Sequence, residues 1–185
     1  MKALERYPYR VNLNDDTEVA LRPLRKQDKA KLFDFFTRLP LEDRVFLRDE
    51  ITDRALVESW VENLNFELVL PIVAEYQDAI VGDITLHHQG LGWRKHLCDV
   101  RVVVDREFQR KGLASVLIKD IVTLATDLGL EKLVAEIPLT NGGAIRVFNR
   151  CGFQGNSVLS DFVKDQQGND MSIAVMVYDL RTPKS

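Results

Sequence analysis

The chain has 185 residues, of which 45% are hydrophobic and 29% charged, a composition typical of a globular protein with one sizeable core. Its formal net charge of -3 at pH 7 argues against broad nucleic-acid binding. Cys98 and Cys151 have no paired spacing, which argues against a disulfide framework. No apolar run reaches the roughly 20 residues of a membrane helix, and "MKALERYPYR" lacks the apolar core of a signal peptide, so we predict a cytoplasmic protein.

The N-terminal third predicts two short strands and then helices. The segment "YRVNLNDDTEVALRPL" is typical of two strands around the turn "NDDT". Asp28 is the predicted cap of a helix that begins at Lys29 and is broken at Pro40, and Thr52 is the predicted cap of a later helix. Between them, "LEDRVFLR" predicts a short helix. The apolar face of the first helix comprises Leu32, Phe35, Phe36 and Leu39, and that of the later helix Leu56, Val57, Trp60, Val61 and Leu64.

Strands dominate the rest of the chain, with two helices between them. The segments "ELVLPIVAEY" and "AIVGDITLHH" predict a hairpin, and "HLCDVRVVV" predicts the next strand after the loop "QGLGWRK". A helix is expected from about Gly112 to Leu128, with Gly129 as its stop. After the strand "EKLVAEI", Asn141 is expected to cap the helix "GGAIRVFNRC", and "SVLSDFVKD" and "MSIAVMVYDL" predict two final strands.

This order of elements predicts a mixed α/β fold, a sheet with helices on both faces. We expect a single domain over residues 1–185, with its core at about residues 16–180.

The junction "QRKGLA" stands between the apolar run "VRVVV" and the helix "SVLIKDIVTLATDLG". A helix N-terminus has unpaired N–H groups and a partial positive charge, so it attracts anions. Gly112 removes a side chain that would keep an anion from the backbone, while Arg110 and Lys111 add charge and Ser115 a hydroxyl. The stretch therefore suits a pyrophosphate, although an ordinary tight turn with solvated cations explains it too.

Other chemistries find little support in the sequence. The phosphate loops GxGxxG and GxxxxGK[ST] are absent, which disfavours NAD enzymes and P-loop NTPases. His87, His88 and His96 flank a turn with no second cluster of ligands, so we expect no metal site. Cys151 has no histidine nearby in the sequence, and we interpret it as a small buried residue rather than a nucleophile.

The junction and a second segment further along the chain together resemble the signature of a known family. "VVVDREFQRKGLASVLI" and, about thirty residues later, "NGGAIRVFNRCGF" resemble the two signature segments of the GNAT family of acyl-CoA-dependent N-acetyltransferases. The first matches that family's Q/R-x-x-G-x-G/A loop with Gln109, Arg110, Lys111, Gly112, Leu113 and Ala114. More weakly, "DDTEVALRPLRKQD" followed by "FFTRLPLEDR" resembles the acetyltransferase domain of bacterial protein-lysine acetyltransferases.

The resemblance implies a fold and a coenzyme A site. The fold would be a mostly antiparallel sheet with one parallel pair splayed at the cofactor. The backbone at Val102 and Val104 would pair with the pantetheine arm, and the loop, extending to Ser115, would bind the pyrophosphate. Asn141 would contact the cofactor near the pantetheine, and Asn149 would lie where its helix approaches it. For Asn141, a plain helix cap is an equally good interpretation.

Amine acetylation needs a group that takes a proton from the acceptor. Asp99 is the first candidate base, because it lies ten residues before Gln109, where the resembled lysine acetyltransferases carry a glutamate. Glu136, five residues before Asn141, is the second candidate. A structural ion pair for Asp99 and a solvated strand end for Glu136 are the alternatives.

Strand alternation places Asp99 on the same face as Arg101 and Val103, opposite Val102 and Val104. A β-bulge in this strand, usual in the family, is the expected way to change that facing.

The general acid is missing at the expected position. Many relatives carry a tyrosine where this chain has Phe148, and a phenyl ring donates no proton. Another group, water or unassisted departure of the thiolate must take its place; Tyr76 and Tyr178 are present, but no spacing selects either.

The sequence thus predicts an N-acetyltransferase that moves an acetyl group from acetyl-CoA to a protein lysine or a small amine by direct attack in a ternary complex, as a monomer or homodimer and without a metal. A non-catalytic acyl-CoA-binding regulatory module is the main alternative. A nucleotide-binding or phosphate-binding protein of another α/β fold is the third.

Overall fold

The computed structural model describes residues 2–40, 44, 51–88, 92–165 and 167–181. The helix expected in "LEDRVFLR" lies outside the described residues, apart from Arg44. The described α-helices are α1 (Lys29–Arg38), α2 (Arg54–Glu62), α3 (Leu113–Asp127) and α4 (Gly142–Arg150). The strands are β1 (Tyr9–Asn12), β2 (Glu18–Pro23), β3 (Val69–Tyr76), β4 (Ala79–His88), β5 (Leu97–Val104), β6 (Lys132–Pro138), β7 (Gln154–Lys164) and β8 (Asp170–Asp179). Within these residues, no helix has the length and apolar character needed to cross a bilayer.

The strands form one eight-stranded sheet in the order β1-β2-β3-β4-β5-β6-β8-β7. All neighbours are antiparallel except β5 and β6, which are parallel. Those two strands pair only from Leu97–Asp99 to Lys132–Val134, whereas β5 stays paired to β4 as far as Val104 and β6 to β8 as far as Pro138. The sheet therefore opens into a wedge beyond Asp99, as the predicted splayed parallel pair requires.

Helices cover both faces of the sheet, as expected. On one face, α3 packs its apolar side against β4, where a Cβ added at Gly82 would lie 3.1 Å from Leu117 Cδ1 and 3.2 Å from Leu113 Cδ2. We call this the α3 face. On the other, the α1 face, Phe35 of α1 and Val57 of α2 are fully buried in a second apolar cluster that includes Val73 and Ile80 of the sheet.

Two predicted helix caps are wrong in detail. Helix α1 begins at Lys29 as predicted, but the Asp28 carboxylate makes no capping bond; it accepts from the Arg25 N–H at 2.8 Å and binds Arg22. Helix α2 is capped by Asp53, which accepts from the N–H groups of Ala55 and Leu56, and not by Thr52. In α1 the ion pair with Arg22 engages the predicted cap, and in α2 the neighbouring Asp53 takes the place of Thr52.

The stop and cap of the other helices are confirmed. Gly129 has φ +74° at the end of α3, a conformation that costs glycine nothing. The Asn141 side chain accepts from the Ala144 N–H at 3.1 Å and caps α4.

A buried carboxylate attaches the N-terminal segment to α3. Asp120 is 5% exposed, and it accepts hydrogen bonds from Tyr9 at 2.6 Å, from Tyr7 and from Arg6. Burial, and then the bond to Asp120, raises the pKa of both tyrosines, so neither ionises at neutral pH. Three donors converge on one group that is out of contact with water.

We expect Asp120→Ala to lower the free energy of unfolding by about 3 kcal/mol, because three half-buried donors lose their buried acceptor at once. Urea titration at pH 7 measures the change. Asp127→Ala, an exposed position on the same helix, is the matched control and should change the value by less than about 0.5 kcal/mol. Equal small losses in both variants would show that the Asp120 cluster contributes little.

Candidate active site

The junction "QRKGLA" is a loop that places the start of α3 beside the wedge. After β5, Asp105 caps a short 3-10 turn, and its other oxygen pairs with Arg38 Nε at 3.1 Å. The loop is also attached to the N-terminal hairpin, because the Asn14 N–H donates to the Lys111 carbonyl at 2.9 Å. These contacts fix the loop from both sides before any ligand binds.

Gly112 begins α3 with φ +91°, a left-handed conformation that favours glycine. A Cβ at this position would lie 3.0 to 3.2 Å from the Asn14 side-chain amide, so the backbone and Asn14 meet where a side chain would stand. The first intrahelical bond runs from the Val116 N–H to the Gly112 carbonyl at 3.0 Å. The preceding N–H groups of Leu113, Ala114 and Ser115 belong to the open first turn and suit a pyrophosphate.

The charged side chains of the loop differ in availability. Lys111 Nζ pairs with Asp15 at 2.9 Å and lies 5.2 Å from the Phe108 ring centroid, so its charge is already engaged. Gln109 and Arg110 are exposed, and the Gln109 amide reaches the Val104 carbonyl at 3.4 Å. The backbone of the loop, rather than the Lys111 ammonium, is therefore its main anion-binding feature.

The wedge supplies backbone groups beside the loop. Beyond Asp99, the edge of β5 that faces β6 has no pairing strand among the described residues, and this edge carries Val102 and Val104. Both side chains pack into the core of the α3 face. An extended ligand such as a pantetheine arm fits here because it can pair with an open strand edge in the plane of the sheet.

The expected β-bulge in β5 is wrong. Strands β4 and β5 pair without a shift from Gly82–Val104 to His88–Cys98, so Asp99 stays on the α1 face with Arg101 and Val103. The sheet's bulge in this region lies between β3 and β4, at Ala74/Glu75. No bulge is needed in β5, because an open strand edge is reached from either face of the sheet.

The two candidate bases lie on one face of the sheet, on opposite sides of the wedge. Asp99 of β5 is the register partner of Val134 on β6, and Glu136 follows two residues later with the same facing. Asp99 is half-buried and is also the register partner of His87 on β4, whereas Glu136 is exposed. The structure thus keeps both candidates, and places Asp99 at the vertex where the strands diverge.

Helix α4 supplies no general acid at the predicted position. Phe148 is 3% exposed and packs edge-on against Phe153 at a centroid distance of 4.9 Å, so it belongs to the core. Asn149 is exposed on the same helix. The Asn141 oxygen is used as a cap, which supports the structural interpretation of that residue.

Neither cysteine is suited to carry an acyl group. Cys98 is fully buried, and burial together with the neighbouring Asp99 charge raises the pKa of its thiol to about 12. Cys151 is 4% exposed. Three or more His, Cys, Asp or Glu side chains do not come together as a metal site anywhere in the described ranges.

The α1 face holds a cavity of about 420 Å³, within the range of small-molecule pockets. Its floor is polar, formed by alternate residues of β4 and β5, and its walls are mostly apolar. The floor comprises Asp83, Thr85, His87, Arg101 and Val103, and the walls include Leu24, Leu32, Phe36, Trp60 and Leu64. Asp99 is not among the lining residues, but its register partner His87 is, so the cavity ends one strand away from the wedge.

Sequence reasoning missed Asp83. It is 8% exposed, and burial raises the pKa of its carboxyl to about 7. The available signal was a single acidic residue inside the apolar strand "AIVGDITLHH", on the face that carries Thr85 and His87.

Comparisons with known proteins agree with this geometry. The sequence profile of the acetyltransferase (GNAT) family matches residues 33–153, more than half of the chain. The chain therefore belongs to the GNAT acetyltransferase family, whose members transfer an acetyl group from acetyl-CoA to an amine.

Individual relatives are distant. An L-amino acid N-acetyltransferase, AaaT, of Escherichia coli is 26% identical over 84 residues, which cover 45% of this chain and 52% of that protein. The match thus spans about half the length of this relative.

Solved structures share the fold at low identity. The GNAT domain of S. lividans PAT superposes with a TM-score of 0.80 at 18% identity, covering 95% of this chain and 98% of that one. YncA of Salmonella typhimurium, solved with acetyl-CoA, has a TM-score of 0.76 at 20% identity, with 90% and 96% covered. These likenesses establish the fold.

Proposed function

We propose that this chain acetylates a small amine by direct attack on acetyl-CoA within a ternary complex. The observation that carries the proposal is the wedge at Asp99, which lies between the "QRKGLA" loop at the start of α3 and the cavity of the α1 face, whose lining residue His87 is the register partner of Asp99. Such a junction lets donor and acceptor meet from opposite sides of the sheet. The limited volume and apolar walls of the cavity favour a small amine over a protein lysine.

Asp99 is the proposed base. The acceptor arrives as an ammonium, gives a proton to the Asp99 carboxylate directly or through a water, and its nitrogen then attacks the thioester carbonyl that acetyl-CoA supplies. The C–S bond breaks as the amide forms, the sulfur leaves as a thiolate, and the nitrogen gives its second proton to water, which in turn protonates the thiolate. A thiol with a pKa of about 8.5 is a competent leaving group, so protonation by water is sufficient where Phe148 offers no acid.

The test has two readouts. Acetyl-CoA at millimolar concentration should raise the melting temperature, since a ligand that binds the native state stabilises it, and ATP should do so less. CoA release with a panel of small amines, amino acids and lysine peptides then measures turnover. A zero shift with acetyl-CoA contradicts the proposal at the binding step, and a shift by ATP alone favours a nucleotide-binding protein.

Binding without turnover on any acceptor in the panel is the result that favours the non-catalytic acyl-CoA-binding module. The observation that supports a non-catalytic module is the core position of Phe148, where many relatives carry a tyrosine.

We expect Gly112→Phe to abolish the thermal shift by acetyl-CoA, because a side chain there meets Asn14 and covers the open first turn of α3. Gly129→Phe is the matched control: it has φ +74° at the other end of the same helix, and a Cβ there meets nothing within 4 Å. Both variants carry the left-handed strain of about 1–2 kcal/mol, but only Gly112→Phe should lose the shift. A shift that survives in Gly112→Phe means that the loop does not bind the cofactor.

A further inference from the structure

Asp83 on the cavity floor is a buried carboxyl group with one oxygen unused. The Thr85 hydroxyl donates to Asp83 Oδ2 at 2.9 Å. Asp83 Oδ1 has no hydrogen-bond partner among the residues that the structure describes. Buried polar atoms are rarely left in this state, so the free oxygen calls for a donor from a ligand in the cavity.

The mechanism does not use Asp83, because it lies away from the wedge. Its register partner is Val103, four residues beyond Asp99 on β5, which corresponds to about 13 Å along the strand. The cavity floor runs over the same span from Asp83 to His87, the register partner of Asp99. Asp83 therefore lies at one end of the floor, and Asp99 lies beside His87 at the other end, on the next strand.

The surfaces between the two ends suit an aliphatic chain. Leu32 and Phe36 of α1 and Trp60 of α2 line the cavity above the floor. On the floor itself, Arg101 stands opposite Thr85, between the two carboxyls, and its positive charge disfavours a cation in the middle of the cavity. Burial raises the pKa of Asp83 to about 7, a further sign that this carboxyl lacks the partner that would stabilise its charge.

We infer that the acceptor is an elongated aliphatic amine with a second nitrogen cation, an α,ω-diamine, whose distal ammonium donates to Asp83 Oδ1 while the reacting amine lies at Asp99. The inference rests on the proposed function for the identity of the reacting end. Asp83 therefore selects the acceptor, whereas Asp99 is the base. The ammonium supplies both the missing donor and the charge that the buried carboxylate lacks.

Calorimetric titration tests the inference without requiring turnover. The ligands are α,ω-diaminoalkanes of increasing chain length and, as partners, primary monoamines of equal carbon count. They are titrated into the protein alone and into the protein saturated with CoA, so that a failure to bind CoA, which would contradict the proposed function, is read separately. The variants are Asp83→Asn and, as the matched loss of one negative charge, Asp34→Asn on the exposed side of α1.

We expect the best diamine to bind wild-type protein about tenfold or more tightly than its monoamine, as a charged hydrogen bond implies. Asp83→Asn should remove that preference, and Asp34→Asn should keep it. The thermal shift by acetyl-CoA serves as the check that Asp83→Asn is folded and its loop intact. Equal affinities for diamine and monoamine in the wild type, no binding of either, or a preference that survives in Asp83→Asn would each overturn the inference.

Discussion

Replacing Asp99 by asparagine is expected to lower kcat by about 100-fold to 10,000-fold, the usual contribution of a general base. Asparagine keeps the size and hydrogen-bonding shape of the side chain but takes no proton from an ammonium. Asp99 lies half-buried where β5 and β6 diverge, and its register partners His87 and Val134 are not carboxylates. The binding of acetyl-CoA should be unchanged, because the substitution does not touch the "QRKGLA" loop at the start of α3.

The pH profile distinguishes loss of the base from loss of structure. Without a base, the rate should follow the fraction of acceptor that is already neutral, and continue to rise towards the pKa of a free alkylamine, about 10.4 for a lysine side chain. The wild type should reach its maximum at lower pH. A structural defect would lower the rate by the same factor at every pH.

Glu136→Gln is the comparison that assigns the role. Glu136 has the same facing on β6 but is exposed, so we expect it to change kcat far less than Asp99→Asn does. A large loss in Glu136→Gln with a small one in Asp99→Asn would exchange the two assignments. Small losses in both would exclude a carboxylate base.

Local pattern was sufficient for most of the secondary structure. The strands β3 and β4 and the turn between them follow from alternating apolar residues around "QD", whose residues Gln77 and Asp78 both have positive φ. The apolar stripes of α1 and α3 and the stop at Gly129 likewise depend on neighbours in sequence. These signals are local, and the structure confirms them.

What local pattern could not give is the pairing of distant segments. The wedge depends on β6 leaving β5 after Asp99 to follow β8, and only the family resemblance predicted it. The cap of α2 by Asp53 and the role of Asp28 depend on which carboxylate the fold brings closest. Asp83 is buried because α1 and α2 cover that face of β4, and both helices lie more than twenty residues from Asp83 in the sequence.

Asp83→Asn is expected to stabilise the protein at pH 8 and to leave its stability nearly unchanged at pH 4. In the native state burial raises the pKa of Asp83 to about 7, compared with 3.8 for the ordinary carboxyl. Well below pH 3.8 both the native and the unfolded form hold the proton, so the carboxyl costs nothing, and at pH 4 the cost is still less than about 1 kcal/mol. Between pH 4 and pH 7 the unfolded chain ionises while the native state still holds its proton, and stability falls with rising pH.

Above pH 7 the difference in the free energy of unfolding between Asp83→Asn and wild type reaches its full size. At about 1.4 kcal/mol per pKa unit, the gap between about 7 and 3.8 corresponds to about 4 kcal/mol. The uncharged amide of asparagine removes this cost. Of the charged and titratable groups that face the cavity with Asp83, His87 and Arg101 remain in the variant, so their contributions cancel in the comparison with wild type.

Urea titration of wild type, Asp83→Asn and Asp34→Asn between pH 4 and pH 8 measures the effect. The difference between Asp83→Asn and wild type should grow through this range and level off above pH 7, while Asp34→Asn should run parallel to wild type because that side chain is exposed. A loss of stability in Asp83→Asn at every pH would mean that the native carboxylate is ionised and paired. If Asp83→Asn is more stable than wild type at pH 8 and also loses the preference for the diamine, the carboxyl serves ligand binding and lowers the stability of the native protein, as is typical of binding sites.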